Sequence, residues 1–83
     1  MAKDSKIDKL VEKTRNSMKN VRFDDLTKIL NFIGYECIKI NSGSHHTFRK
    51  KGCLPITIPK DNPVNPTYVR KVLEAYDDNV SDF

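Results

Sequence analysis

The sequence predicts an α+β domain: three antiparallel strands set between two helices, an α-β-β-β-α sandwich, with an extra N-terminal helix in front. Three observations carry this. Apolar residues recur at helical spacing towards both ends of the chain, the middle is rich in β-branched and aromatic residues, and glycine or proline marks the junctions between the two patterns. An 83-residue chain closes one small core. Residues 1–83 therefore read as a single domain, with the additional helix within 1–20, the core over 21–76 and a tail over 77–83.

The first predicted helix, residues 4–18, places Ile7, Leu10, Val11, Thr14 and Met18 along one side, with charged or polar residues between them. Such a stripe covers a core or contacts a partner. In the second helix Asp24 is the expected N-cap and Asp25 lies at the positive end of the dipole. Leu26, Ile29, Leu30 and Ile33 make its buried face, and Gly34 stands where a left-handed residue would end it.

Strands are predicted over 35–41, 45–50 and 53–59, the last two joined by a Lys51-Gly52 turn. Alternation puts Leu54, Ile56 and Ile58 on the core face of the third strand, with Cys53, Pro55, Thr57 and Pro59 opposite. Pro55 cannot donate a ladder hydrogen bond and so marks an edge strand. In the middle strand Phe48 requires burial and His46 shares its face, so His45, Thr47 and Arg49 point the other way. A bulge at Ser44-His45 would reverse the two histidines.

Asn65-Pro66 reads as N-cap and first residue of the last helix, whose core face is Val69, Val72, Leu73 and Tyr76. Arg70 and Glu74 are expected to pair across one turn, leaving Lys71 the freer cation. Beyond Tyr76 the acidic Asp77-Asp78-Asn79 run is expected to fray.

The formal net charge of +4 is unevenly spread. Between residues 38 and 72 stand Lys39, Arg49, Lys50, Lys51, Lys60, Arg70 and Lys71 against Asp61 alone. A basic block of this kind fits an anionic partner, and phosphate backbone is the commonest one. No apolar stretch approaches the roughly 20 residues of a membrane span, and the opening residues lack the hydrophobic region of a secretory signal. No membrane partner and a cytoplasmic location are expected. Cys37 and Cys53 read as reduced strand residues, and neither flanks a histidine at zinc-ligand spacing, so no metal or cofactor is expected.

Chemistry concentrates at Ser42-Gly43-Ser44-His45-His46-Thr47-Phe48, where a small-residue turn leads into the only two histidines. Histidine is the one side chain whose ordinary pKa lies near neutrality, which makes it a natural proton-transfer group. A lone strand histidine is more often a packed or surface residue. Parity assigns the structural role to His46 and the reactive role to His45, with His46 as the fallback. The element order is also that of the double-stranded-RNA-binding domain, which reads RNA shape through phosphate and 2′-hydroxyl contacts and needs no histidine at this position.

Four stretches carry a more specific likeness: Val21-Arg22-Phe23-Asp24-Asp25-Leu26 leading to Gly34-Tyr35, Gly43-Ser44-His45-His46-Thr47-Phe48, Ile56-Thr57-Ile58-Pro59, and Val69-Arg70-Lys71-Val72-Leu73. Over about residues 21–76 the chain resembles the HicA toxins of bacterial toxin–antitoxin systems, which also include longer forms with an extra N-terminal helix. The Gly-Ser-His-x-x-Phe element is the most specific part.

The resemblance implies a metal-independent endoribonuclease that cleaves messenger RNA and is neutralised by a HicB-type antitoxin covering its active site. It maps the catalytic histidine onto His45 and the preceding glycine of the RNA site onto Gly43. RNA carries its own nucleophile, the 2′-hydroxyl, so such an enzyme needs only a base and cations that steady the phosphorane charge. Arg49, Lys50, Lys51, Lys60 and Lys71 are the expected phosphate contacts. Where the family often places further histidine or arginine after the third strand, this chain has Lys60-Asp61-Asn62. Two other readings share the fold: a non-catalytic RNA-binding module, and an inactive toxin homologue kept for interaction. A titrating group at position 45 favours the enzyme over the pure binder.

Overall fold

The computed structural model describes residues 5–41 and 44–80. Its elements are α1 (Ser5–Asn16), a short 3-10 helix (Met18–Asn20), α2 (Phe23–Phe32), β1 (Glu36–Asn41), β2 (His45–Arg49), β3 (Ile56–Pro59) and α3 (Pro66–Val80). The strands form one antiparallel sheet in the order β1-β2-β3. The protein is α+β, in the predicted helix-strand-strand-strand-helix order behind one additional helix. No described helix is long and apolar enough to cross a membrane.

Phe48 and Ile58 from the sheet join Leu26, Ile29 and Leu30 of α2 and Val69 and Val72 of α3 in one core, each at most 1% exposed. Burying each such side chain is worth about 1.5–3 kcal/mol, which makes this layer the main source of stability. The α1 stripe joins it as expected: Val11 and Thr14 are buried, with Ile7, Leu10 and Met18 packed at the margin. Thr14 satisfies its hydroxyl by donating to the Leu10 carbonyl at 2.7 Å. Tyr76 donates to Asp8 Oδ1 at 2.9 Å, and Arg15 pairs with Asp77. These contacts dock α1 onto α3 of its own domain.

Helix α2 begins at Phe23, so Asp24 lies in its first turn beside Asp25 and is not the N-cap. Arg22 holds the cap position with no side-chain bond, and the amide of Phe23 is met from elsewhere in the chain. The other end is as predicted. Gly34 adopts φ +100°, with its N–H on the Asn31 carbonyl (3.1 Å) and the Tyr35 N–H on the Leu30 carbonyl (2.9 Å). This is the paired bonding of a glycine-terminated helix, and buried Tyr35 supplies the apolar contact that accompanies it.

In α3, Asn65 caps as expected, its Oδ1 accepting the Thr67 N–H at 2.9 Å. The helix runs on to Val80 and does not fray beyond Tyr76. Its last turn is held by the Arg15–Asp77 pair and by Asn79, which donates to the Ala75 carbonyl and accepts from Lys50. No Arg70–Glu74 ion pair forms among the described residues. The ammonium of Lys71 instead sits 5.6 Å from the Tyr68 ring centroid.

The sheet departs from simple alternation at two places. Strand β3 starts only at Ile56, and Leu54 is 85% exposed while Cys53 packs partly against the core. The turn ends at Cys53, where Gly52 has φ +83° and the Cys53 N–H bonds the Lys50 carbonyl at 3.0 Å, and residues 54–55 lie outside the ladder. Pleating therefore does not apply there, and Cys53 is a turn residue. Pro55 immediately precedes what is an edge strand. In β1 the register slips between Cys37 and Lys39, and the bulge leaves Ile38 54% exposed. Both cysteines are free thiols.

Candidate functional site

The two histidines open β2, and the ladder around them is unbroken. His45 pairs with Asn41 and Pro59, His46 with Ile40 and Ile58. With no bulge at this point, parity holds: His46 shares the core face with Phe48 and Ile58, while His45 lies on the open face with Thr47 and Thr57, whose hydroxyls are 3.0 Å apart. His45 is exposed, and its Nδ1 reaches Ser44 Oγ only at 3.5 Å.

Two contacts hold the His46 ring. Its ring lies 4.8 Å from that of Phe23, tilted by 59°, and its Nδ1 is 3.2 Å from the Ser44 carbonyl oxygen. A carbonyl only accepts, so Nδ1 carries the hydrogen, and in the neutral ring the lone pair sits on Nε2. The same carbonyl accepts the backbone N–H of Lys60 at 2.6 Å. Ser44 thereby ties the histidine tautomer to the start of the next loop.

That loop, residues 60–65, is stitched to the entry of α2. Asn62 Oδ1 accepts the Phe23 N–H at 2.9 Å, and the Val64 N–H bonds the Val21 carbonyl at 2.8 Å beneath a fully buried Val64 side chain. The Lys60 ammonium stands 6.0 Å from the Phe23 ring centroid. Phe23 thus contacts His46, Phe48 and Lys60 at once, its ring centroid 6.2 Å from that of Phe48.

The basic residues expected at the site divide. Lys60 joins the histidines. Arg49 and Lys51 are exposed at the far end of β2, Arg49 about 14 Å along the strand from His45 at ~3.4 Å per residue. Lys50 is turned inward, across Gly34 and onto Asn79. Lys71 lies on α3 over Tyr68, and among the described residues no contact links it to the histidine turn. Gly43 lies outside the described residues. Among those residues no group of three His, Cys, Asp or Glu side chains is placed to hold a metal ion.

Sequence reasoning gave Phe23 and Asn62 no part in the site. Asn62 has no local signature because its partner is 39 residues away, and Phe23 reads simply as an apolar residue at a helix entry. Away from the site, burial above all, aided by Cys53, pushes the Tyr35 hydroxyl pKa up. Burial and then the Asp8 hydrogen bond do the same for Tyr76.

The arrangement combines a half-buried imidazole with a fixed tautomer, a second exposed imidazole, and a nearby ammonium. It can take a proton from a hydroxyl and steady negative charge beside it. No family model matches the chain, and neither a curated protein nor a solved structure matches it significantly.

Proposed function

We propose that the protein is a toxin endoribonuclease of the HicA kind, on a double-stranded-RNA-binding-domain-like fold, restrained by a HicB-type antitoxin that covers the histidine turn. The observation that carries this is the Ser44 carbonyl, which accepts from His46 Nδ1 and so leaves the lone pair of the neutral ring on Nε2. The motif resemblance supplies the reaction class, and the site has the two parts that class requires.

In this reading a histidine Nε2 takes the proton of a ribose 2′-hydroxyl. The freed oxygen attacks the adjacent phosphorus, the bond from phosphorus to O5′ breaks, and O5′ leaves with a proton from solvent. The products are a 2′,3′-cyclic phosphate and a free 5′-hydroxyl. Lys60 offsets the charge that builds on the phosphorane oxygens. Strand parity and the motif resemblance both favour exposed His45 as the base; the tautomer set by Ser44 favours His46, because a positioned lone pair needs no reorganisation when the substrate arrives. We assign the base to His46 and keep His45 as the residue against which it is tested.

The experiment is cleavage of RNA in excess EDTA, with mass spectrometry of the fragment ends. Cyclic phosphate or 3′-phosphate ends are expected, and a 2′-deoxy or 2′-O-methyl group at the cut site should block the reaction. His46→Ala should lower the rate by about 10² to 10⁴, the usual worth of a general base, with a smaller loss for His45→Ala. The opposite order returns the base to His45. Cleavage that depends on a divalent ion and leaves 5′-phosphates discards the mechanism. A folded sample that binds RNA but cuts none is a binding module.

A further inference from the structure

We propose that Asn62 is a positioning residue for the histidine site: by capping α2 at Phe23 it sets the aromatic ring against which the His46 imidazole is held. This rests on the reading of His46 as the base. Its structural part is tested independently of that reading.

Two contacts link Asn62 to His46 through Phe23. Helix α2 starts without a side-chain cap of its own, since Arg22 offers none and Asp24 is already inside the first turn. The first amides of a helix need an acceptor, and an unmet one leaves the first turn free to fray. Asn62 Oδ1 supplies that acceptor to the Phe23 N–H at 2.9 Å. Because the bond is made to the backbone of Phe23 itself, it locates this residue's Cα and so the origin of its side chain. The Phe23 ring is buried and meets the His46 ring at 4.8 Å.

His46 has two kinds of restraint, and they do different work. The Ser44 carbonyl fixes which nitrogen carries the proton but leaves the ring able to swing about that bond. The tilted packing of the Phe23 ring against the imidazole limits that swing. A base must lie within hydrogen-bond reach of its proton in a near-attack geometry, so a ring that swings loses rate without losing substrate affinity. The same loop contributes Lys60, whose backbone bonds Ser44 and whose ammonium lies over Phe23. Asn62 therefore sits where the loop bearing the cation meets the helix bearing the ring.

The test compares Asn62→Ala with Asn62→Asp, which keeps an acceptor oxygen at the same reach. Two readouts are taken: steady-state RNA cleavage, and the NMR signals of the His46 ring, which the face of a nearby aromatic ring displaces from their free positions. In Asn62→Ala, kcat should fall by about ten- to a hundredfold with KM unchanged, and the His46 ring signals should move towards those of an unrestrained histidine. Asn62→Asp should keep both close to the parent. Should Asn62→Ala fail to fold, Asn62→Leu, which keeps the side-chain volume but has no acceptor, takes its place with the same two readouts and the same expected outcome. Unmoved His46 signals in a folded Asn62→Ala chain overturn the proposal, whatever happens to cleavage. So does a fall in kcat that Asn62→Asp reproduces in full. If the parent chain cuts no RNA, the ribonuclease reading fails, and the His46 signals alone decide whether Asn62 positions the ring.

Discussion

The side chain of Lys50 lies across Gly34: a methyl group at Gly34 would fall 3.2 Å from Lys50 Cε and 3.4 Å from Cδ. The lysine reaches the end of α2, where carbonyls are left without helical partners, and bonds Asn79 of α3. A cation is favourable there, at the negative end of the dipole. Gly34→Ala should therefore be destabilising twice over, through φ +100° and through displacement of the lysine stem. A loss of at least about 1 kcal/mol is expected in urea unfolding.

The split among the cations gives a second prediction. Lys60 stands with the histidines and Lys50 is engaged with Asn79, so their removal should affect RNA binding differently. Lys60→Ala should flatten the dependence of log affinity on log salt by roughly 0.7, one phosphate contact on single-stranded RNA. Lys50→Ala should leave that slope unchanged and lower stability instead. Equal slopes for the two variants would remove Lys60 from the site.

Docking of the first helix can be measured at Tyr76. Its hydroxyl bonds Asp8 across the α1–α3 contact, and Tyr76→Phe deletes that bond while keeping the buried ring. Stability should fall by about 1 kcal/mol, the usual net worth of such a bond. Hydrogen exchange should quicken in α1 more than in the sheet. An unchanged α1 would mean that Val11, its apolar neighbours and the Arg15–Asp77 pair hold the helix without this bond.

Both buried tyrosines also predict a response to alkali. Their hydroxyl pKa values are raised in the folded state, chiefly by burial, above the ordinary tyrosine value near 10. The neutral phenol is favoured by folding, so this contribution is fully present below about pH 10 and is lost as pH rises through the folded-state values. Unfolding free energy should fall above pH 10, and by less in Tyr76→Phe than in the parent chain.

Sequence pattern made the helices and their inner faces legible, because Val69, Val72, Leu73 and Tyr76, or Leu26, Ile29 and Leu30, are fixed by local periodicity and all lie in the core. It also sorted His45 from His46, since strand parity needs only an unbroken ladder. It misplaced Leu54 because a turn persisted into the expected strand, and it misplaced the α2 cap because the acceptor comes from Asn62. Lys50 was unreadable for a related reason: a lysine that follows a strand looks solvated until the helix ends beside it are known. The cap and Lys50 concern contacts between residues 39 and 29 positions apart, where spacing carries no signal, whereas Leu54 was displaced by a local turn.

The bonds from Asn62 to Phe23 and from Val64 to Val21 close a stretch of about forty residues, and such closure has an entropic cost that grows slowly with length. Within that stretch lie α2, all three strands and both histidines. In chain order, both histidines and all three strands come before Asn62 and Val64. A chain cut short of residue 62 keeps the imidazoles and the Phe23–Phe48 contact but lacks the bond that caps α2. Closure of the loop onto the helix entry therefore waits on residues made after the whole sheet.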